Sequence, residues 1–336
     1  MIPWSLPLAW AYGTVGALRR GAYRRGYLPV GRAQVPVISV GAILSGGSGK
    51  TPVAGWLAGL LDAEHVRVGL IHSGYRGTEA HHIHRVDPAW RWEPGAARRF
   101  GDEALLLAAW QPRALVFCGR DKLCAARQAA EAGAQVVVVD DGYQHRRLHR
   151  DLDLLLDDPW PELPFPAGRA RERAGASSDA DLRWEHSRGG EAPSLGTPLA
   201  SRCVPASVHA LDGSRLGSAA DLSGRRVFLL AGIARPEAFR RVVEALGARL
   251  VGHAWARDHA LFSARELRRA ARSRADVLLC TEKDAVRALS GPGRGGAGAQ
   301  ARSVTRDLAF LSCGLELTRG LELLRARLRP LLSGRG

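Results

Sequence analysis

The stretch Gly46-Gly47-Ser48-Gly49-Lys50-Thr51-Pro52 constrains this chain more than any other. Before it, Val35-Pro36-Val37-Ile38-Ser39-Val40-Gly41 is short and rich in β-branched residues, the composition of a buried strand. After it, Val53-Ala54-Gly55-Trp56-Leu57-Ala58-Gly59-Leu60-Leu61 is apolar at helical spacing, and Pro52 stands where a first helical turn tolerates it. Strand, glycine loop and helix in succession are the setting of a phosphate-binding loop. Glycines let successive N–H groups turn toward phosphate oxygens, and the helix N-terminus adds partial positive charge. Gly46, Gly47, Ser48, Gly49, Lys50 and Thr51 are then the phosphate contacts. Lys50 reaches the β- and γ-phosphates, and Thr51 places a hydroxyl on Mg²⁺. The usual glycine five residues before the Gly-Lys pair is Leu44 here, so the match is to the variant Gly-Gly-x-Gly-Lys-Thr form. The competing reading is a glycine-rich turn with a chance Lys-Thr, and the flanking strand and helix count against it.

Downstream, strand and helix patterns alternate. Val66-Arg67-Val68-Gly69-Leu70-Ile71 reads as a strand, residues 81–99 as an irregular excursion, and Gly101-Asp102-Glu103 opens a helix over 104–110. Ala114-Leu115-Val116-Phe117-Cys118 is a strand, and Gly119-Arg120-Asp121 leads into a helix over 122–132. Gln135-Val136-Val137-Val138-Val139-Asp140-Asp141 is the clearest buried parallel strand, and Asp153-Leu154-Leu155-Leu156-Asp157 is another. The pattern predicts an α/β fold of phosphate-loop NTPase type, a doubly wound parallel sheet with ligands at the strand C-termini. Residues 159–205 read as loop, and 207–216, centred on Asp212-Gly213, as a hairpin. A second α/β unit follows, with a strand at Arg226-Val227-Phe228-Leu229-Leu230-Ala231, a helix over 236–246 and a strand near 249–252. Its remaining pieces are a capping box from Ser263 to Glu266, a strand at Val277-Leu278-Leu279-Cys280-Thr281, and a glycine-rich loop over 290–301. A strand near 315–317 and a helix over 321–332 end it. The expected organisation is an N-terminal helix (1–30), a core domain (31–205), a β-hairpin linker (206–225) and a smaller α/β domain (226–336).

The 336 residues carry a net charge of +15. Such a chain suits nucleic acid, anionic lipid or a phosphorylated substrate, and charge alone does not choose among them. The five cysteines are scattered without a Cys-x-x-Cys pair, which indicates neither a zinc site nor a disulfide framework. Residues 2–18 carry no charged side chain and are followed by Arg19, Arg20, Arg24 and Arg25. A secretory signal has its positive charge before the apolar run. Trp4, Trp10, Tyr12 and Tyr23 beside arginines suit a segment lying in a membrane interface, with the arginines reaching lipid phosphates.

Asp140 and Asp141, at a strand end downstream of the loop, are placed to hold Mg²⁺. Phosphoryl transfer to an alcohol also needs a proton acceptor, for which Asp102 and His259 are candidates. Arg120 could grip a substrate phosphate.

Taken together, these residues resemble the tetraacyldisaccharide 4′-kinase family. The resemblance rests on residues 41–52, Gly101-Asp102-Glu103-Ala104-Leu105-Leu106-Leu107-Ala108, Gly119-Arg120-Asp121 and Asp140-Asp141-Gly142-Tyr143-Gln144-His145-Arg146-Arg147-Leu148. It continues through Pro166-Ala167-Gly168, Arg171-Glu172, Ala231-Gly232-Ile233-Ala234-Arg235-Pro236-Glu237, Asp258-His259 and Thr281-Glu282-Lys283-Asp284. It implies an enzyme at the cytoplasmic face of the inner membrane that moves the γ-phosphate of ATP to the 4′-hydroxyl of a tetraacylated glucosamine disaccharide 1-phosphate. It implies two α/β domains joined by a short β linker, a membrane-docking N-terminal helix, and no nucleic-acid partner; it leaves the oligomeric state open. By motif match, Asp102 and His259 form the proton-accepting dyad with Lys50 beside them, and Gln144 lies in the nucleotide site. Thr51, Asp140, Asp141 and Glu103 serve the Mg²⁺ site, while Arg120, His145, Arg171 and Glu172 face the substrate. Two positions depart from the family pattern: Ala42 replaces an asparagine, and Ser73 replaces an arginine whose charge Arg76 is placed to restore. The alternative is a membrane-associated ATPase switch acting on a protein partner. It gives no work to Asp102 and His259.

Overall fold

The computed structural model describes residues 4–158, 163–289 and 307–333. Its strands in chain order are β1 (Val37–Ala42), β2 (Val68–His72), β3 (His84–Arg85), β4 (Leu115–Cys118), β5 (Val136–Asp140), β6 (Leu152–Asp157) and β7 (Leu182–Ser187). They continue with β8 (Leu199–Ala210), β9 (Arg215–Ser218), β10 (Arg226–Ala231), β11 (Arg249–Trp255), β12 (Val277–Thr281) and β13 (Leu308–Arg319). The helices are α1 (Ser5–Arg24), α2 (Lys50–Ala63), α3 (Ala96–Phe100), α4 (Asp102–Trp110) and α5 (Lys122–Glu131). After them come α6 (Pro236–Ala245), α7 (Ala264–Ala271), α8 (Glu282–Leu289) and α9 (Leu321–Ser333).

All the strands join one sheet, in the order β11-β10-β12-β13-β8-β7-β6-β1-β5-β2-β4-β3, with β9 paired to β8. The valine run of β5 is buried throughout, as befits a strand covered on both faces. In the N-terminal half, α2 and α4 pack on one face of the sheet through Val53, Leu57, Leu61, Leu105 and Leu107, while α5 covers the other through Leu123, Ala125 and Ala129. The C-terminal half has its own cores, built around Phe239, Val243 and Leu279 on one side and Phe228, Leu230 and Phe310 on the other.

The joint between the halves sets the position of the cleft. β8 and β13 are long strands, each of twelve residues, and they pair antiparallel from Ala210↔Ala309 to Ala200↔Arg319. β7 runs parallel to the start of β8, ending at Ser187↔Arg202. β12 runs parallel to the start of β13, ending at Thr281↔Leu311, and Leu311 lies opposite Val208. The two parallel blocks therefore point in opposite directions and are offset along the ribbon. Their C-terminal edges face each other across its middle, about 20 Å apart at ~3.3 Å per residue. Ligand-binding ends of two α/β units thus meet over one strip of sheet.

Several sequence expectations change here. Residues 159–205, read as loop, include β7 and the first part of β8. β7 (Leu182-Arg183-Trp184-Glu185-His186-Ser187) hides its nature because its buried residues include Glu185 and His186, which break any apolar run. The final strand, expected near 315–317, is twelve residues long: it also includes the buried start Leu308-Ala309-Phe310-Leu311, which pairs with β12. The irregular excursion 81–99 holds β3, a 3₁₀ turn (Pro88–Trp92) and most of α3. The hairpin around Asp212-Gly213 forms as β8 and β9. The expected loop 290–301 lies outside the described residues.

Among the described residues Trp184 is the largest fully buried side chain, donating its indole N–H to Ser201 Oγ at 2.8 Å and meeting Trp56 edge-to-face at 5.7 Å. Trp184→Ala is expected to remove about 3–5 kcal/mol of stability through the cavity and the stranded Ser201 hydroxyl. A urea-unfolding midpoint lowered accordingly checks this; an unchanged midpoint contradicts it.

Candidate active site

The phosphate loop leaves β1 and enters α2 with Gly46, Gly47 and Gly49 at φ values of 72°, 65° and 82°. Those left-handed angles are open to glycine at little cost and place the loop N–H groups on its concave side. Gly49 caps α2, so Lys50 and Thr51 begin the helix. Ser48 Oγ is buried without a hydrogen-bond partner.

Four acids surround this loop, and their partners divide their work. Both oxygens of Asp141 accept from Arg171 Nη1, at 2.7 and 2.8 Å, and its carboxylate lies 3.6 Å from Lys50 Nζ. Burial opposes its charge, but Lys50, Lys122 and Arg171 outweigh that and hold its pKa down at about 2. Glu103 pairs with Lys283 at 2.8 Å and His72 at 3.2 Å; against its burial, those partners hold it well below the usual carboxylate range. Asp102 contacts Arg287 Nε at 2.9 Å and His259 Nδ1 at 3.3 Å. Burial again opposes its charge, and His259, Lys283 and Arg287 win, so it stays ionised. Asp140 differs. It is buried, neither carboxylate oxygen has a hydrogen-bond partner, and the nearest basic group is His72 Nε2 at 3.9 Å. Burial raises its pKa, offset in part by His72, and the Thr51 hydroxyl also favours its charged form. A desolvated carboxylate with free lone pairs beside the phosphate loop fits a hard dication. Among the described residues no three acids, histidines or cysteines gather into a self-contained metal cage. That suits Mg²⁺, which is held by one or two side chains together with phosphate and water.

Sequence reasoning missed several members. Lys122, buried at the first turn of α5, donates to the carbonyls of Asp140 and Asp141 at 2.8 and 2.6 Å. It fixes the strand end on which both acids sit, and Asp141 takes φ 54° there. A lysine at a helix N-terminus opposes the helix dipole, and that misplacement was the available signal. Lys283 and Arg287 of α8 reach across from the C-terminal half to Glu103 and Asp102. His72 ends β2 and accepts from the Gly74 N–H at 3.0 Å.

Other expected residues lie as follows. Gln144 donates to the Ala42 carbonyl at 2.9 Å and accepts from Arg171. His145 is half-buried; its Nε2 has no partner, and burial with nearby Lys122 pushes its pKa down to about 4. Arg120 is exposed at the end of β4. Glu172 is buried between Arg20 of α1 and Arg146, at 3.2 and 3.4 Å. Arg76 donates to the Asp258 carbonyl at 3.0 Å, bringing its charge beside His259.

A phosphate loop, an acid suited to Mg²⁺ and an ionised acid–histidine pair from two facing units define a phosphotransferase with an alcohol acceptor. Comparison gives the particular kind. The tetraacyldisaccharide-1-P 4′-kinase family matches residues 2–323, and the chain belongs to that family. It is 38% identical over 341 residues to the tetraacyldisaccharide 4′-kinase of Anaeromyxobacter dehalogenans, covering 94% of this chain and 87% of that one. It is 37% identical over 297 residues to the enzyme so named from Xanthomonas campestris, covering 83% and 82%. A crystal structure of the "apo" form of LpxK from Aquifex aeolicus in complex with ATP superposes with a TM-score of 0.74 at 26% identity, over 97% of this chain and 98% of that one. The chain is thus a kinase by family, and the acids about its phosphate loop fit a nucleoside triphosphate held with a dication.

His186 packs against Gly49 and pairs with Ser201 Oγ at 2.9 Å; burial and then Arg188 depress its pKa to about 3. An unfolded histidine takes its proton near pH 6.5, and this folded one does so only near pH 3. The unfolded state therefore binds more protons in that window, so stability is full above it and falls as pH drops through it. In His186→Gln the decline in melting temperature between pH 7 and 4 should be shallower than in the parent; equal slopes would contradict the assignment.

Proposed function

We propose that this kinase transfers the γ-phosphate of ATP to the 4′-hydroxyl of a tetraacylated glucosamine disaccharide 1-phosphate at a membrane surface. The observation that carries the reading is the Asp102–His259 pair, 3.3 Å apart and drawn from opposite sides of the cleft. An acid–histidine pair facing a phosphate loop has a use when an alcohol must lose its proton. A protein-regulated ATPase switch has no such need.

Lys50 sits beside Asp141 at the loop, where it can turn to the β- and γ-phosphates. Thr51 and Asp140 would hold Mg²⁺, which supplies charge neutralisation across the phosphates when bound. The acceptor hydroxyl gives its proton to the Asp102–His259 pair as its oxygen bonds to the γ-phosphorus and the bond to the bridging oxygen of ADP breaks. Lys283, 3.4 Å from His259 Nε2, and Tyr75, edge-on at 5.7 Å, hold the imidazole in place.

The membrane reading rests on α1. No described helix is long and apolar enough to cross a membrane. Yet α1 exposes Leu6, Leu8, Trp10, Tyr12, Val15 and Leu18, while Ala9 and Gly13 face the protein. Tyr12 meets exposed Phe165 at 6.0 Å, which extends the apolar face beyond the helix. Arg173 donates to the Trp10 carbonyl and to Thr14, and Arg20 is turned inward to Glu172 and Asp179. Arg20 is thus a strut under the helix, and Arg19 and Arg25 remain for lipid phosphates. A helix pinned on one face and apolar on the other suits an interfacial seat.

The direct test supplies ATP, Mg²⁺ and the acylated disaccharide 1-phosphate in detergent micelles. Transfer absent relative to a Lys50→Ala control would refute the reading. His259→Ala should lower kcat by about a hundredfold or more, with ATP affinity within a few-fold of the parent. Equal loss of both would remove His259 from the proton-transfer step. Val15→Glu with Leu18→Glu should abolish sedimentation with anionic phospholipid vesicles and leave the melting temperature unchanged, since both side chains are exposed; retained sedimentation would refute the interfacial seat.

A further inference from the structure

Beside the phosphate loop lies a charge cluster that the chemistry above does not use. Arg188 follows β7, and Arg235 caps α6 in the C-terminal half. Both guanidinium groups converge on Asp158, which follows β6; Arg188 Nη2 is 3.3 Å from its carboxylate and Arg235 Nη2 is in contact with the same oxygen. Asp158 is deeply buried and Arg188 is four-fifths buried. Arg188 Nη1 has no hydrogen-bond partner. It stands 2.9 Å from the point a Cβ on Gly47 would occupy, and the Ala234 side chain stands 3.1 Å from that point. A side chain at position 47 would have to displace this cation.

The direction in which the cluster faces is fixed by its neighbours. The Gly49–Thr51 end of the loop begins α2 and is backed by His186. The Gly46–Gly47 end faces the C-terminal half, where Asp258 Oδ2 comes within 3.9 Å of a Cβ position on Gly46. Asp258 precedes His259, the partner of Asp102. The side of the loop that Arg188 flanks is therefore the side turned to the proton-accepting pair, where the phosphoryl group in transit must lie. Lys50 and Arg171 already share Asp141, and Lys122 is committed to two carbonyls. Arg188 and Arg235 share a single carboxylate, leaving net positive charge there. A planar guanidinium with a free edge beside a phosphate loop matches a phosphate oxygen pair.

We propose that Arg188 and Arg235 form a two-sided clamp on the terminal phosphate of ATP, oriented by Asp158, with Arg188 its main contact. Arg188 is then a catalytic residue in the manner of an arginine finger, and Asp158 a positioning residue. Because Arg235 comes from the opposite half, the clamp is complete only when the two halves are apposed. The inference rests on the kinase reading, but its test is on the nucleotide alone and does not depend on the acceptor.

The experiment is calorimetric titration of the full chain with Mg²⁺–ATP and with Mg²⁺–ADP. Arg188→Ala should weaken ATP about tenfold or more and leave ADP within about twofold, since only ATP carries the phosphate the clamp reads. Arg235→Ala should shift the same ratio less, and Asp158→Asn should reduce the ATP preference without altering ADP affinity. Arg188→Lys keeps the charge and loses the fork, so it should recover only part of the preference; it also serves if Arg188→Ala does not fold. Equal weakening of ATP and ADP, or no change in either, overturns the clamp and leaves the cluster a structural tie between the halves. A chain that prefers ATP through Arg188 but fails to phosphorylate the acylated disaccharide would sink the substrate reading and keep this one.

Discussion

The contact between Asp102 and Arg287 is the constraint on which the arrangement depends. It joins the N-terminus of α4 to α8 in the other half, with both side chains nearly inaccessible. A buried carboxylate left alone would pick up a proton, since desolvation of a charge costs several kcal/mol. Here the opposing half supplies the countercharge, and the carboxylate stays ionised. The same contact also locates the halves. Arg287 is itself held by Asp284 at 3.0 Å and donates to the Gly232 carbonyl at 2.8 Å, at the end of β10. The strand end that leads to Arg235 and the turn that carries His259 are thus referenced to one guanidinium.

That network explains why four acids so close together do not interfere. Three are matched to cations: Asp102 to Arg287, Glu103 to Lys283, and Asp141 to Arg171 and Lys50. Asp140 is left with a raised proton affinity and unsatisfied lone pairs. A structure seeking stability alone would have paired or replaced it. Its exposure to a low dielectric without a partner is intelligible as readiness for a dication.

Much of this was legible in the residue order. The loop and the strands ending in acids carry a local signature, because glycine φ preference, valine runs and strand-end position are nearest-neighbour effects, whereas Asp102 and His259 were candidates by residue type alone and their pairing came from the family resemblance. The setting of Glu172 was harder to read, since a glutamate next to an arginine does not announce its other partners. Its burial against Arg20 and Arg146 depends on segments far apart in the chain. β7 was missed for a related reason: Glu185 accepts from the Ser194 and Leu195 N–H groups at 2.7 Å and His186 pairs with Ser201, so polar residues are buried in a strand that has no apolar alternation. The joining of both halves into one sheet was also invisible, because nothing local announces that residues 199–210 and 308–319 will pair.

That pairing has a mechanical consequence. A linker of two crossing strands would let the halves pivot freely, whereas an antiparallel ribbon of twelve-residue strands resists bending in the plane of the sheet and yields mainly by twisting about its own length. Bending of the ribbon would be taken up first where its ladder is already broken, at the register shifts between Ser312 and Cys313 and between Leu317 and Arg319. Stiffness along that ribbon sets how far the C-terminal half can turn. The first of these shifts lies near the middle of the ribbon, where Cys313 stands opposite Pro205.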